Sequence, residues 1–272
     1  MNNWVAAVQY ASGEASKVKA SCVNAKLPDV CALKELALQA RNQASKRASY
    51  IVLPEYGTGQ VDLYLTPTVG ENPSTWPAQA DDILQIFSVH AKWLNAYIIV
   101  NLLTADKTTT SCTTDSNCAT GSLCHQGTCY KKFNTNVALD NTGKVVGVHR
   151  KFNLFGGETK SMTPGTEANT FSTPLGKMGM LICADIYGST ALNNKLGSTA
   201  DVVLISSYWT TSNPIQNWYV PFLKKYSYYS VIANTTDSPG YGGGVFKPGG
   251  VVIEKKVSTT PSIAYGWIPS SP

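Results

Sequence analysis

The sequence predicts an α/β layered fold. Short, uniformly apolar segments of strand length recur along the chain, with helical patterns between several of them. That alternation favours sheets covered by helices. The 272 residues are 43% hydrophobic and 14% charged, enough apolar material for a large core. No linker-like change of composition divides the chain, so residues 1–272 are read as one domain.

Trp4 to Tyr10 reads as the first strand, followed by a polar loop containing Gly13 and Pro28. Asp29 is placed to cap a helix from about Val30 to Lys46, with Cys31, Leu33, Leu36, Ala37 and Ala40 at helical spacing. Tyr50–Leu53 is a buried-type strand stopped by Pro54, which leaves Glu55 on the loop beyond its end. A proline-containing loop over 60–78 leads to a helix opened by Asp81 and running to about Leu94, with Ile83, Ile86, Phe87 and Ala91 on one face.

Tyr97–Leu103 is the next strand. Asn134–Asp140 and Val145–His149 form a hairpin around Asn141-Thr-Gly143, and Lys151 follows just past its second strand. Thr170-Phe-Ser precedes Gly176–Ile182, a buried strand that ends at Cys183. A short helix over about Ser189–Lys195 and a strand at Asp201–Ser206 come next, then Ser207-Tyr-Trp209. Pro214–Tyr229 is amphipathic, with Trp218, Phe222 and Tyr226 spaced at four. A strand at Ser230–Asn234, a Gly242-Gly-Gly244 loop, a Val251-Val-Ile strand and a Pro/Ser-rich tail close the chain. Asn234-Thr-Thr236 fits a glycosylation sequon, but it follows a buried strand and is discounted.

The net charge of +5, from 22 basic and 17 acidic residues, is mild for this length. Lys131-Lys132 and Lys255-Lys256 are isolated pairs, read as solvated surface rather than a nucleic-acid stripe. No stretch is apolar for the ~18 residues a membrane-spanning helix needs. The N-terminus enters its first strand with no charged and apolar leader before it, so any export signal was removed or never existed.

The seven cysteines bear on the compartment. Cys112, Cys118, Cys124 and Cys129 crowd a segment of Ser, Thr and Gly with little else to pack, read as an insertion over about 108–131. Such a segment needs covalent staples, and its spacing suits disulfides better than zinc, for which only Cys124/Cys129 comes close. Cys22 and Cys31 flank a short loop and are a candidate pair. Six cysteines then make three bridges and leave Cys183, an unpaired thiol and so a candidate for reactivity. Bridges point to an oxidising compartment, so the protein is expected to be secreted or periplasmic.

Glu55, Lys151 and Cys183 thus each follow a strand, and an α/β topology can bring strand ends to one sheet edge. Taken singly, each has an ordinary explanation: a solvated loop carboxylate, a surface lysine, a packed core thiol. His90, His125 and His149 offer Cys183 no defensible partner.

Taken together, these segments resemble the three blocks of the nitrilase superfamily of carbon-nitrogen hydrolases. Leu53-Pro-Glu55 is similar to the block with the catalytic glutamate, and His149-Arg-Lys-Phe-Asn-Leu-Phe-Gly-Gly-Glu158 to the lysine block with its second glutamate. Gly179-Met-Leu-Ile-Cys-Ala-Asp185 is similar to the nucleophile block. The likeness is greatest to the vanin/biotinidase amidase branch. Phe133–Asp140, Ser207-Tyr-Trp209, Gly243–Pro248 and Tyr187 carry it, the last standing where most of the superfamily has an arginine. Two features depart: the Cys112–Cys129 insertion, and an end near residue 272 without the branch's further C-terminal domain. Specificity for pantetheine or biotin esters and amides is therefore not carried over.

The resemblance implies a four-layer αββα sandwich of the nitrilase type. It implies hydrolysis of a linear amide in a small substrate through a cysteine thioester, with no cofactor and no metal. Cys183 would be the nucleophile and Glu55 the general base. Lys151 would stabilise the oxyanion and lower the thiol pKa, with the Ala184 amide as second oxyanion donor. Glu158 would orient Lys151 or water, and Tyr208 and Trp209 would line the substrate pocket. Members of the superfamily often pair, so a homodimer is allowed. A nitrilase acting on a cyano substrate and an inactive secreted binding module are the competing readings. The aspartate at 185, where nitrilases usually carry glutamate, favours the amidase.

Overall fold

A computed structural model describes residues 2–59, 64–76, 82–237 and 242–270. Its first sheet contains β1 (Trp4–Gln9), β2 (Tyr50–Val52), β3 (Tyr64–Leu65), β4 (Tyr97–Ser111), β5 (Ser122–His125), β6 (Thr128–Leu139) and β7 (Val145–Arg150). The second contains β8 (Thr170–Thr173), β9 (Gly176–Ile182), β10 (Val202–Ser206), β11 (Tyr229–Ala233), β12 (Gly242–Lys247) and β13 (Val251–Val257). The final strand, β14 (Ser262–Trp267), returns to the first sheet, antiparallel to β1. Each sheet has a parallel centre, β1-β2-β4 in one and β9-β10-β11 in the other. The helices are α1 (Ala15–Val18), α2 (Pro28–Asn42), α3 (Ile83–Leu94), α4 (Glu158–Ser161), α5 (Thr190–Thr199) and α6 (Val220–Leu223).

The period-two side-chain alternation of a strand divides the core into three apolar layers. Ala6, Val8 and Ile51 pack outward against α2 and α3, while Val5, Ala7 and Val52 face the second sheet. Met178, Met180, Val202, Leu204 and Val231 meet them from that sheet. Val203, Ile205 and Ile232 face the other way, toward Leu196 of α5 and Phe222 of α6. Helix, sheet, sheet and helix therefore stack as the four-layer αββα sandwich. Strands buried on both faces read as unbroken apolar runs.

Several boundaries differ from expectation. The first long helix begins at Pro28, whose fixed φ suits the first helical position. Asp29 does not cap it; its carboxylate ties down the preceding loop, accepting from Tyr10 Oη, Ser12 Oγ (2.8 Å) and Gly13 N (2.7 Å). Asp82 caps α3, accepting from Gln85 N at 2.9 Å; Asp81 lies outside the described residues. Ser189 caps α5, which runs four residues past the expected Lys195. The amphipathic Pro214–Tyr229 segment is no long helix: a π-helical turn, Ile215–Tyr219, gives way to α6, which Pro221 interrupts at its start.

Gly242–Gly244 is strand rather than loop, and a Cβ at Gly243 would lie 2.0 Å from Ile232 O. Here glycine permits close strand packing rather than a turn. Asn234 is fully buried, its Oδ1 accepting from Trp209 N at 2.8 Å, which agrees with discounting the sequon.

The Cys-rich segment is the tip of a long antiparallel ribbon. β4 and β6 run past the sheet into it, and β5 doubles back on β6. Cys112 is bonded to Cys124 and Cys118 to Cys129, while Cys22 is bonded to Cys31 across the turn into α2. The tip hides little apolar surface, so the two bridges carry its order. In a Cys112→Ser/Cys124→Ser variant, limited proteolysis is expected to cut between residues 112 and 129, where the wild type resists. Thermal unfolding of the core should move by only about 2–4 °C. A drop of about 15 °C would mean that the ribbon supports the sandwich.

Candidate active site

The strand ends deliver the expected residues to one place. β2 stops at Val52 and the chain turns at Pro54, which puts Glu55 at the sheet edge. β7 stops at Arg150, and Lys151 keeps a last ladder bond, its N–H donating to Asn134 O at 2.8 Å. β9 stops at Ile182, and Cys183 opens the 3-10 turn Cys183–Tyr187. Two of these corners turn through left-handed backbone, with φ of +55° at Tyr56 and +44° at Cys183. Such a conformation costs a non-glycine residue about 1–3 kcal/mol and survives only where surrounding contacts enforce it.

Lys151 Nζ lies 2.7 Å from Glu55 Oε1 and 2.7 Å from Glu158 Oε2. Glu55 and Lys151 are 1% and 2% exposed. Glu158, at the start of α4, is brought in from the far end of the lysine block. The other Glu55 oxygen, Oε2, accepts from Tyr208 N at 2.8 Å. The Cys183 thiol points at Tyr208 O, 4.0 Å from Sγ, and feels the charge of the Glu55 carboxylate. Ala184 is the second residue of the turn, and the first amides of such a turn have no partner within it.

One ammonium thus serves two carboxylates, and this sets the protonation pattern. Burial alone would lower the Lys151 pKa; the charges of Glu55, Cys183 and Glu158 reverse that and hold the amine above its ordinary value. Burial also opposes ionisation of Glu158, but the Lys151 charge and hydrogen bonds from Lys151 and Tyr56 bring it below the usual range. Burial raises Glu55; Lys151 opposes the shift, and the Glu158 charge adds to it. For Cys183, burial and then the Glu55 charge push the thiol well above its usual value, against a smaller pull from Lys151. Lys151 does pull the thiol pKa down, as expected of its charge, but burial and the Glu55 carboxylate outweigh it, so the thiolate is disfavoured beside two carboxylates that share one cation.

Residues that went unnoticed in the sequence complete the cluster. Asn134 Nδ2 donates to Glu55 Oε1 (2.7 Å) and Glu158 Oε1 (2.8 Å). Asn101 Nδ2 donates to Asn134 Oδ1 at 2.7 Å, and its own Oδ1 accepts from Tyr56 N at 3.0 Å, holding the left-handed corner. Both asparagines are buried in β4 and β6. Their legible signal was a polar side chain inside an apolar strand.

Asp185, read in the sequence only as a mark of the amidase branches, has a structural part as well. This fully buried carboxylate accepts from Phe152 N (2.9 Å) and Asn153 N (2.8 Å) through Oδ1, and from Ile182 N (2.9 Å) and His149 Nε2 (2.8 Å) through Oδ2. It ties the lysine segment to the nucleophile turn and gives His149 a partner other than the cysteine.

Cys183 and Ala184 form the floor of a cavity of about 360 Å³, walled by Tyr208, Trp209, Tyr187, Trp218 and Phe155. Tyr208 and Trp209 thus border the cavity as expected; Tyr187, Trp218 and Phe155 join them.

Comparison with known proteins gives the family. The sequence profile of the family described as "Carbon-nitrogen hydrolase" matches residues 4–226. The chain belongs to the carbon-nitrogen hydrolase family. Among its relatives, bovine pantetheinase is 30% identical over 216 residues, covering 70% of this chain and 40% of that protein. Rat biotinidase is 33% identical over 163 residues, covering 54% of this chain and 29% of that one. The chain spans less than half the length of these relatives. An amidase from Nesterenkonia sp. superposes with a TM-score of 0.69 over 99% of this chain and 91% of its own, at 13% identity, and shares the fold. A variant of that amidase (TM-score 0.67, 14% identity, 98% of this chain and 90% of its own) carries the acetamide moiety of fluoroacetamide covalently added at its active-site cysteine.

Replacing Asp185 by Ala strands four donors, two of them buried. The urea midpoint should fall by the equivalent of about 3 kcal/mol or more. Asp185→Asn keeps the Oδ1 contacts and should lose distinctly less; equal losses would mean that the carboxylate serves only as packing volume.

Proposed function

We propose that this chain hydrolyses the carbon-nitrogen bond of a small amide through a covalent thioester on Cys183. The observation that carries the reading is the Glu55 carboxylate: buried, held at one oxygen by Lys151 and at the other by the Tyr208 amide, and in reach of the one free thiol among the described residues. The adduct on the active-site cysteine of the Nesterenkonia amidase supports the same chemistry here.

In the proposed sequence, the Cys183 thiol gives its proton to Glu55 as sulfur attacks the amide carbon. The C=O π pair moves to oxygen, beside the Lys151 ammonium and the Ala184 N–H. Collapse of the tetrahedral adduct breaks the C–N bond, and Glu55 passes its proton to the departing amine. Glu55 then takes a proton from water, whose oxygen attacks the thioester. The carboxylic acid leaves and the proton returns to sulfur. Glu158 keeps Lys151 aimed between sulfur and oxyanion. The high thiol pKa suits this order, since attack and proton transfer are coupled through one carboxylate. Three disulfides accord with residence in an oxidising compartment, and we read the protein as exported.

A panel of small amides and nitriles, with ammonia or amine detection, tests the reading. Release is expected from amides and not from nitriles. Cys183→Ala should abolish turnover with the fold intact, and iodoacetamide should label Cys183 alone in the native protein. Turnover surviving in Cys183→Ala would overturn the mechanism.

The pH dependence follows from the raised Glu55 pKa. The base must be ionised to take the thiol proton, so kcat/KM should fall with acidification at a pH above the ordinary carboxylate value of about 4.5. The Glu158 charge contributes to that rise, so Glu158→Gln should move the acid limb to lower pH while reducing the maximum rate. A limb that stays in place would assign the titration to another group.

A further inference from the structure

We propose that the cavity beside Cys183 accepts an uncharged, apolar acyl group of modest size, and that the Trp209, Trp218 and Tyr187 wall sets this preference. The inference rests on the amide-hydrolysis reading and names the substrate class for it.

The direction of the acyl group follows from the proton route. Glu55 must hand its proton to the leaving amine, and Glu55 is buried behind Cys183 and Tyr208 rather than on the cavity surface. The amine therefore sits toward Glu55. The acyl part, which stays bonded to sulfur, extends into the space that Cys183 opens onto.

That space is made of rings. Tyr187 lies 5.3 Å from both Trp209 and Trp218, centroid to centroid, and the two indoles are 6.0 Å apart. Rings this close touch one another, so they form a continuous wall and leave no gap for a cation between faces. Thr211 sets the angle of the wall: its Oγ1 accepts from Trp209 Nε1 (2.5 Å) and Trp218 Nε1 (3.2 Å). The polar ends of both indoles are thereby used, which leaves ring surface for the substrate. Asn234 holds the Trp209 backbone from the core.

None of the described residues lining the cavity carries a charge. An acyl chain ending in a carboxylate or an ammonium would meet no opposite charge among these residues, whereas an apolar one gains from burial against the rings. A volume of about 360 Å³ is small for a ligand site and takes roughly a dozen water molecules' worth of substrate.

The test uses primary amides of similar length: 3-phenylpropanamide, succinamate and 4-aminobutanamide, with acetamide as the short reference. Ammonia release should give a kcat/KM for 3-phenylpropanamide at least tenfold above both charged compounds. Trp218→Ala should lower the ratio of 3-phenylpropanamide to acetamide at least tenfold, and Tyr187→Arg should raise succinamate relative to 3-phenylpropanamide. Equal rates for neutral and charged amides, or ratios unmoved by both variants, overturn the proposal.

A binding arm separates this proposal from the hydrolysis reading. In Cys183→Ala, tryptophan fluorescence should change saturably with 3-phenylpropanamide and not with succinamate over the same range. If no amide is turned over while this binding persists, the hydrolysis reading falls and the cavity preference stands. Absence of saturable binding, or equal binding of succinamate, overturns the preference.

Discussion

The lysine ammonium shared by two buried carboxylates is the interaction on which the site depends. Two carboxylates and an ammonium carry a large desolvation cost, and mutual attraction offsets it only when every remaining lone pair and proton is satisfied. The surroundings do this in detail. Glu55 also accepts from Asn134 and from the Tyr208 amide, and Glu158 also accepts from Tyr56, Asn134 and the Phe155 amide. Each partner comes from a different segment, so the cluster closes only when β2, β6, β7 and the loop after β10 are all in register. The same requirement explains why three catalytic-type residues far apart in sequence converge. Each lies just beyond a strand, and the two packed sheets bring those strand ends together.

Asp185 does for the backbone what Lys151 does for the charges. Four donors converge on its two oxygens, one from the nucleophile strand, one from a histidine and two from the lysine segment. This converts two independent loops into one rigid unit. It also explains how Cys183 sustains a left-handed φ, since the turn is closed by an acceptor two residues on. Precise placement of this kind matters because a displacement of about 1 Å costs a reacting geometry orders of magnitude in rate.

Much of this was readable in the sequence, and for identifiable reasons. Double-faced burial leaves continuous apolar runs such as Val202–Ser206, and a proline or cysteine at the end marks where the chain leaves the sheet. What was illegible depends on partners distant in sequence. Asn101 and Asn134 look like ordinary polar interruptions until the antiparallel register of β4 and β6, which pairs Asn101 with Asn136, brings Asn134 diagonally beside it. Asp29 has the form of a helix cap, but Pro28 supplies the helix start and frees the carboxylate for the loop at Ser12. Tyr187 and Trp218 are separated by a helix and a strand, and only the folded chain makes them neighbours. The Gly242–Gly244 run fails for a different reason: sequence patterns reward glycine for positive φ, whereas these glycines sit in a strand because other backbone crowds them.

The protonation pattern and the shape of the cavity belong to one constraint. With a single cation for two carboxylates, burial and the Glu55 charge disfavour a thiolate at the cavity floor. None of the described residues lining the cavity is charged, and the charges of Glu55, Lys151 and Glu158 lie on the buried side of the site. The indoles of Trp209 and Trp218 are held in the cavity wall by their hydrogen bonds to Thr211. The result is a site whose two sides differ in polarity, the charged cluster on the buried side and the aromatic wall on the cavity side.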